Sequence, residues 1–245
     1  MSAEEVSRLV DEAGFVFRGK VIRPEGEEEA GDTGSASVEV QEVLHGTDVT
    51  RGLVGAVVRV VSDEAAGLSE GDVRIFYTDV ASLGDEVVAR AVRHHEASDE
   101  SIAAAAEGVR ISAERPVAER IAAADLVVVG QVTSTKRLAG DAPPQSEHDP
   151  EWAIARVAVE SVIKGRTSRK TVEVLYASSR DIAWYKSPKL EEGTRGVFIL
   201  RTRHEDEAPP EVAPAVYQAT DPLDFQPDER LPDVRRMAGQ DPGER

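Results

Sequence analysis

The sequence predicts a mainly β chain made of two tandem five-stranded Greek-key barrels, each preceded by a short helix and joined by a helical linker. Three observations predict it. Five short segments recur in the same order in the two halves. Each segment alternates apolar and polar residues or is a short β-branched run, the pattern of a strand with one buried face. Glycine-containing turns punctuate the segment ends. The chain has 245 residues, enough for two domains of ordinary size, and only 4% are aromatic, so the cores must rest on Val, Ala, Ile and Leu.

Taken in order, "AEEVSRLVDEAG" (3–14) reads as a helix leading into the strand "FVFRG" (15–19). That strand is answered by "LVVVG" (126–130), an offset of 111 residues (130 − 19). "SVEVQEVLHG" (37–46) is answered by "RVAVESVIKG" (156–165), and "VVRVV" (57–61) by "TVEVL" (171–175). "LSEGDVRIFY" (68–77) matches "LEEGTRGVFIL" (190–200), which places Gly71 on Gly193 and Phe76 on Phe198. "EVVARAV" (86–92) matches "EVAPAVY" (211–217), where Pro214 implies an edge strand or a bulge. The offset drifts only where connecting loops differ in length, as expected of a duplicated domain. Five strands per unit fit the small Greek-key barrel known as the OB-fold better than a seven-stranded sandwich.

Polar connections at 23–36 and 136–151 separate strands one and two of each copy. The Ala- and Glu-rich stretch 98–125 reads as two helices. Ser98 or Asp99 caps one near Ile102 to Val109, and Pro116 opens a second over 116–124. The expected organisation is a first barrel at 1–97, a helical linker at 98–115, a second barrel at 116–225 and a tail at 226–245 with a short helix at Asp233 to Met237.

The order "ADLVVVGQV", "VAVESVIKG", "TVEVL", "LEEGTRGVFIL" resembles the netrin-type module shared with the tissue inhibitors of metalloproteinases. The resemblance covers about 90 residues of each half. It is stronger in the second, which keeps Ala124-Asp125 and Lys164-Gly165 where the first has Ala13-Gly14 and His45-Gly46. It implies an OB barrel. Inhibitors of that family act through an N-terminal cysteine on the protease zinc, and this chain has no cysteine, so the fold is carried over and the inhibitory mechanism is not.

A net charge of -17 favours basic partners and disfavours phosphate backbones and anionic lipid. The absence of cysteine excludes disulfides and thiolate metal sites. No run approaches a membrane span and no signal peptide is visible, so the expected location is cytoplasmic, although a secreted mature form that has lost its signal would read the same.

Catalytic motifs are not found: there is no G-x-S-x-G, no G-x-x-x-x-G-K-[ST] and no H-E-x-x-H. Ser178-Ser179-Arg180-Asp181 reads as a turn or cap. His94-His95-Glu96, His204-Glu205-Asp206-Glu207 and His148 carry metal-ligating atoms, but neighbours on a strand face opposite ways, and the runs read as solvated charge. No catalytic residue, metal or cofactor is assigned. The stretch "RDIAWYKSPK" (180–189) is an insertion relative to "DEAAG" (63–67). It sets Trp184, Tyr185 and Lys186 side by side, a composition enriched at binding hot spots, although Trp184 could instead plug its own barrel. Trp152 reads as core.

The resulting expectation is a non-enzymatic module that binds another protein with a basic surface through Trp184, Tyr185 and Lys186, with nucleic acid disfavoured as a partner. Two alternatives stand beside it. One is metal-dependent or hydrolytic chemistry at the His and acidic clusters. The other is single-stranded nucleic-acid binding through the barrels, by a basic groove and stacking aromatics.

Overall fold

The computed structural model describes residues 1–25, 34–62, 67–83, 86–138, 150–203 and 217–240. It divides into two units, Met1–Arg115 and Pro116–Arg245.

The first unit opens with helix α1 (Ala3–Glu12), capped reciprocally by Ser2 and Glu5. Then come strands β1 (Phe15–Glu25) and β2 (Ser35–His45), the single turn α2 (Asp48–Arg51), and strands β3 (Val57–Val61), β4 (Val73–Leu83) and β5 (Glu86–Glu96). The five strands close into a barrel in the order β1-β2-β3-β5-β4. Only β3 and β5 pair in parallel. Inside lie Phe15, Phe17, Val38, Val58, Val60 and Phe76, with Phe17 stacked between the other two rings. Outside, Val6 and Val10 of α1 cover Val16, Ile75 and Tyr77.

Helix α3 (Asp99–Ala123) runs unbroken through Pro116, where the sequence suggested two helices. Proline removes one i→i−4 bond, at the Ser112 carbonyl. Tertiary burial on both sides of that point outweighs the loss. Ala105 is buried with α1 in the first unit, and Val117 and Ile121 are buried against the second barrel. Ser98 caps the helix start, accepting from the Ser101 amide at 3.2 Å.

The second unit continues with β6 (Leu126–Arg137), β7 (Trp152–Lys164), β8 (Thr171–Ala177), β9 (Arg195–Thr202) and the two-residue β10 (Tyr217–Gln218). The ring β6-β7-β8-β10-β9 repeats the first topology strand for strand, and β8 and β10 again form its parallel pair. The irregularities repeat as well. Those between β1 and β2 fall at Val16/Phe17, Arg18/Gly19 and Val21/Arg23, and those between β6 and β7 at Val127/Val128, Val129/Gly130 and Val132/Ser134. Bulges fix register and curvature, so matching bulges mean the two sheets bend at the same residues. Gly71 and Gly193 both have φ near +90°, and their amides donate to Val21 and Val132.

Leu126, Val128, Val157, Val174, Phe198 and Leu200 fill the second barrel. Pro214 and most of the expected fifth strand, 211–217, lie outside the described residues. The stretch read as a tail from 226 carries an additional strand, β11 (Phe225–Pro227), on β9, and helix α4 (Leu231–Met237), whose Val234 is completely buried with Ile121 and Ile199. Among the described residues no helix is long and apolar enough to cross a membrane.

Candidate functional site

The Ala-Asp and Lys-Gly pairs of the second copy form a structural joint. Lys164 Nζ donates to the carbonyls of Ile121 and Ala122 at the C-terminus of α3, where a cation also meets the negative end of the helix dipole. The Asp125 carboxylate accepts from the Thr202 amide at 2.7 Å. Gly165, at φ +82°, lies against the Asp125 carbonyl, where a Cβ would collide. Lys164→Ala is therefore expected to lower the melting temperature of the second unit by several degrees in a thermal scan.

The binding face is set by strand alternation. Along β7, Ala153, Ala155 and Val157 point into the barrel, and their partners Tyr176, Val174 and Val172 do the same. Trp152, Ile154 and Arg156 must then point outward, next to Ala177, Leu175 and Glu173. Trp152 is thus not core. It joins Ile154 and Leu138 over Leu175, outside the barrel and separate from the main cluster. Lys136 stands opposite Ile154, and Arg156 pairs with Glu173 at 3.1 Å while its own side chain stays 62% exposed.

Trp184 comes to the same face. Its ring meets Trp152 edge-on with centroids 5.8 Å apart. It lies against the outer β7–β8 surface and does not plug the barrel. Tyr185 is 57% exposed, with the Lys186 ammonium 5.7 Å from its ring centroid, and Ile182 is also exposed. The loop that carries them is tied down. Asp181 Oδ1 accepts from the amides of Ala183 and Trp184 at 2.7 and 3.3 Å. Ser178 Oγ donates to the Glu151 carbonyl at 2.9 Å, and Ser179 Oγ accepts from the Glu151 amide at 2.8 Å. The Ser-Ser-Arg-Asp string is a brace for the loop, with its hydroxyls bound to backbone.

At the other end of the same hairpin, "KGRTSRK" (164–170) holds four cations and no carboxylate, and Arg166, Arg169 and Lys170 are exposed. Sequence reasoning missed this contrast because the total charge hides it. Among the described residues, the equivalent outer face of the first barrel, built from Ser37, Glu39, Val57 and Arg59, carries no aromatic ring.

The histidine candidates of the first unit contact neighbouring side chains. His95 bridges the Tyr77 hydroxyl at 3.2 Å and the Glu96 carbonyl at 3.1 Å, while His94 tilts over Phe76. Both line a cleft of about 360 Å³ that also includes Arg93 and Ser101. Burial pushes the Tyr77 hydroxyl up to about 12, so it stays a neutral hydrogen-bonding group. Among the described residues no group of three His, Asp or Glu side chains is placed to hold a metal. His148 and the 204–207 run lie outside the described residues.

No protein-family model and no curated protein matches this chain. Among solved structures it is similar to the wild-type single-stranded DNA binding protein from Thermus aquaticus, at 13% identity and a TM-score of 0.23, covering 87% of this chain and 91% of that one. It is similar also to a deletion mutant of that protein, at 15% identity and the same TM-score of 0.23, covering 81% and 97%. The expectation of a protein partner with nucleic acid disfavoured does not stand beside these matches, whose names are those of single-stranded DNA binding proteins. The physical reason is that net charge is summed over the whole chain, whereas a ligand meets one patch within about a Debye length. At this level the likeness carries no argument for a ligand, and the residues must supply one.

Proposed function

We propose that the second barrel binds single-stranded nucleic acid on the outer face of β7 and β8. One observation carries the reading: both tryptophans of the chain, distant in sequence, meet on the second- and third-strand face by which OB barrels hold oligonucleotides. Aromatic platforms stack bases without regard to sequence, and cations along the same hairpin attract the phosphates. Arg156, Arg166, Arg169 and Lys170 of the hairpin, with Lys136 on the adjacent β6, supply that charge, while the acidic remainder of the surface repels nucleic acid elsewhere. The resemblance to the netrin-type module is kept as a proposal on descent, supported by the Ala124-Asp125 and Lys164-Gly165 joint, which belongs to the scaffold.

Because the only two tryptophans sit in the site, their fluorescence reports on it directly. Titration with an oligothymidylate of about 16 nucleotides at low salt is expected to quench it saturably. Trp184→Ala and Tyr185→Ala should each weaken binding by about 1–3 kcal/mol, while Lys136→Ala should reduce the slope of log K against log salt by about 0.7. Unchanged fluorescence, with no shift of a labelled oligonucleotide at 20-fold molar excess of protein, would refute the reading.

A further inference from the structure

We propose that Lys189 is the positioning residue that holds Trp184 against Trp152 before any ligand arrives. This rests on the reading of that face as a nucleic-acid platform and adds how the platform is built. The Lys189 ammonium donates to two backbone carbonyls, Ala177 at 2.8 Å and Trp184 at 2.9 Å. The first is the last residue of β8 and the second is the platform residue itself, so one side chain closes the 178–188 loop onto the strand from which it departs. Burial holds the ammonium below the usual lysine range, consistent with a group partly withdrawn from water.

The first barrel is an internal control. Leu68 and Leu190 are equivalent and buried in their respective cores, and each precedes an equivalent turn glycine, Gly71 or Gly193. One residue earlier stand Gly67 and Lys189. The short connection lacks both the aromatic residues and the lysine, and the long one has both. Asp181 orders the turn locally, and Ser187 Oγ anchors the far side to the Thr220 carbonyl at 2.7 Å. Neither reaches β8. Lys189 alone among these joins the Trp184 backbone to the strand beneath Trp152, whose neighbour across the ladder is Ala177. A platform ordered in advance leaves less entropy to be lost when a base stacks on it.

The test uses the full chain with Lys189→Met, which keeps the length and removes the donors, Lys189→Gln as a second variant should the first fail to fold, and Lys189→Arg as the conservative variant. Near-ultraviolet circular dichroism of the tryptophan pair is read without ligand, and oligothymidylate affinity by titration. Expected are loss of most of the tryptophan band and about tenfold weaker binding for Lys189→Met, the same direction for Lys189→Gln, and restoration of both by Lys189→Arg, with unchanged far-ultraviolet spectra. An unchanged tryptophan band in a folded Lys189→Met or Lys189→Gln variant overturns the proposal. A lost band in a protein whose wild type ignores oligothymidylate keeps the clasp and removes the nucleic-acid reading.

Discussion

Arg120→Ala is expected to destabilise the second unit by about 3–5 kcal/mol, because it strands a buried carboxylate. The Asp224 side chain is 3% exposed and that of Arg120 17%. Arg120 Nε donates to Asp224 Oδ1 at 3.0 Å and a second guanidinium nitrogen reaches the same oxygen, while Oδ2 accepts the amides of Thr220 and Asp221 at 3.0 and 2.9 Å. Burial holds the Asp224 carboxyl above its ordinary range despite these bonds. The folded state therefore binds this proton more tightly than the unfolded state, and the group's contribution to stability falls as pH rises through the raised folded value. Without Arg120 the upward displacement grows. The deficit of Arg120→Ala should be smallest in acid and increase toward neutral pH, as measured by urea unfolding at a series of pH values. A deficit that does not change with pH would show that Asp224 is not the group left stranded.

Gly130→Ala is expected to cost the second barrel about 3 kcal/mol or more. A Cβ there would run into the carbonyl oxygen of Ala158 and stand 2.7 Å from Val157 Cγ1. The oxygen belongs to the neighbouring strand and cannot rotate away, so the ladder must separate at the bulge that sets its register. Gly19, its counterpart in the first barrel, would meet the Val38 and Phe17 side chains most closely, which can adjust in part, and would stand 3.1 Å from the Glu39 carbonyl oxygen, farther than the Ala158 oxygen lies from Gly130. The Gly19→Ala change should therefore cost less. Since both tryptophans belong to the second unit, fluorescence-monitored unfolding follows Gly130→Ala directly. A Gly130→Ala protein that melts with the wild type would mean the strands are farther apart at the bulge than described.

Much of the fold was legible because β-sheets write themselves locally. Val157, Val172 and Val174 alternate with polar residues as one buried face requires, and Gly71 and Gly193 mark turns that need a left-handed backbone. The fifth segment was less legible. A strand of two described residues, Tyr217–Gln218, is held by neighbours on both sides and needs no pattern of its own. The continuous course of α3 through Pro116 was hidden for a related reason, since local propensity says stop and burial of Val117 and Ile121 says continue.

The candidate site was half legible. Trp184, Tyr185 and Lys186 stood out as an aromatic insertion, but Trp152 read as core, because alternation tells which residues share a face and not which face is inside. Lys189 carried no signal, since its partners are two carbonyls brought together only by the closed loop.

Near-neighbour patterns in the chain specify the duplicated barrel and its turns, because alternation and glycine requirements act between residues close in sequence. That Trp152 and Trp184 lie together on the outer face, and that Arg120 meets Asp224, emerges only in the folded chain. Those contacts join segments far apart in the chain, and their geometry exists only once the sheet has closed.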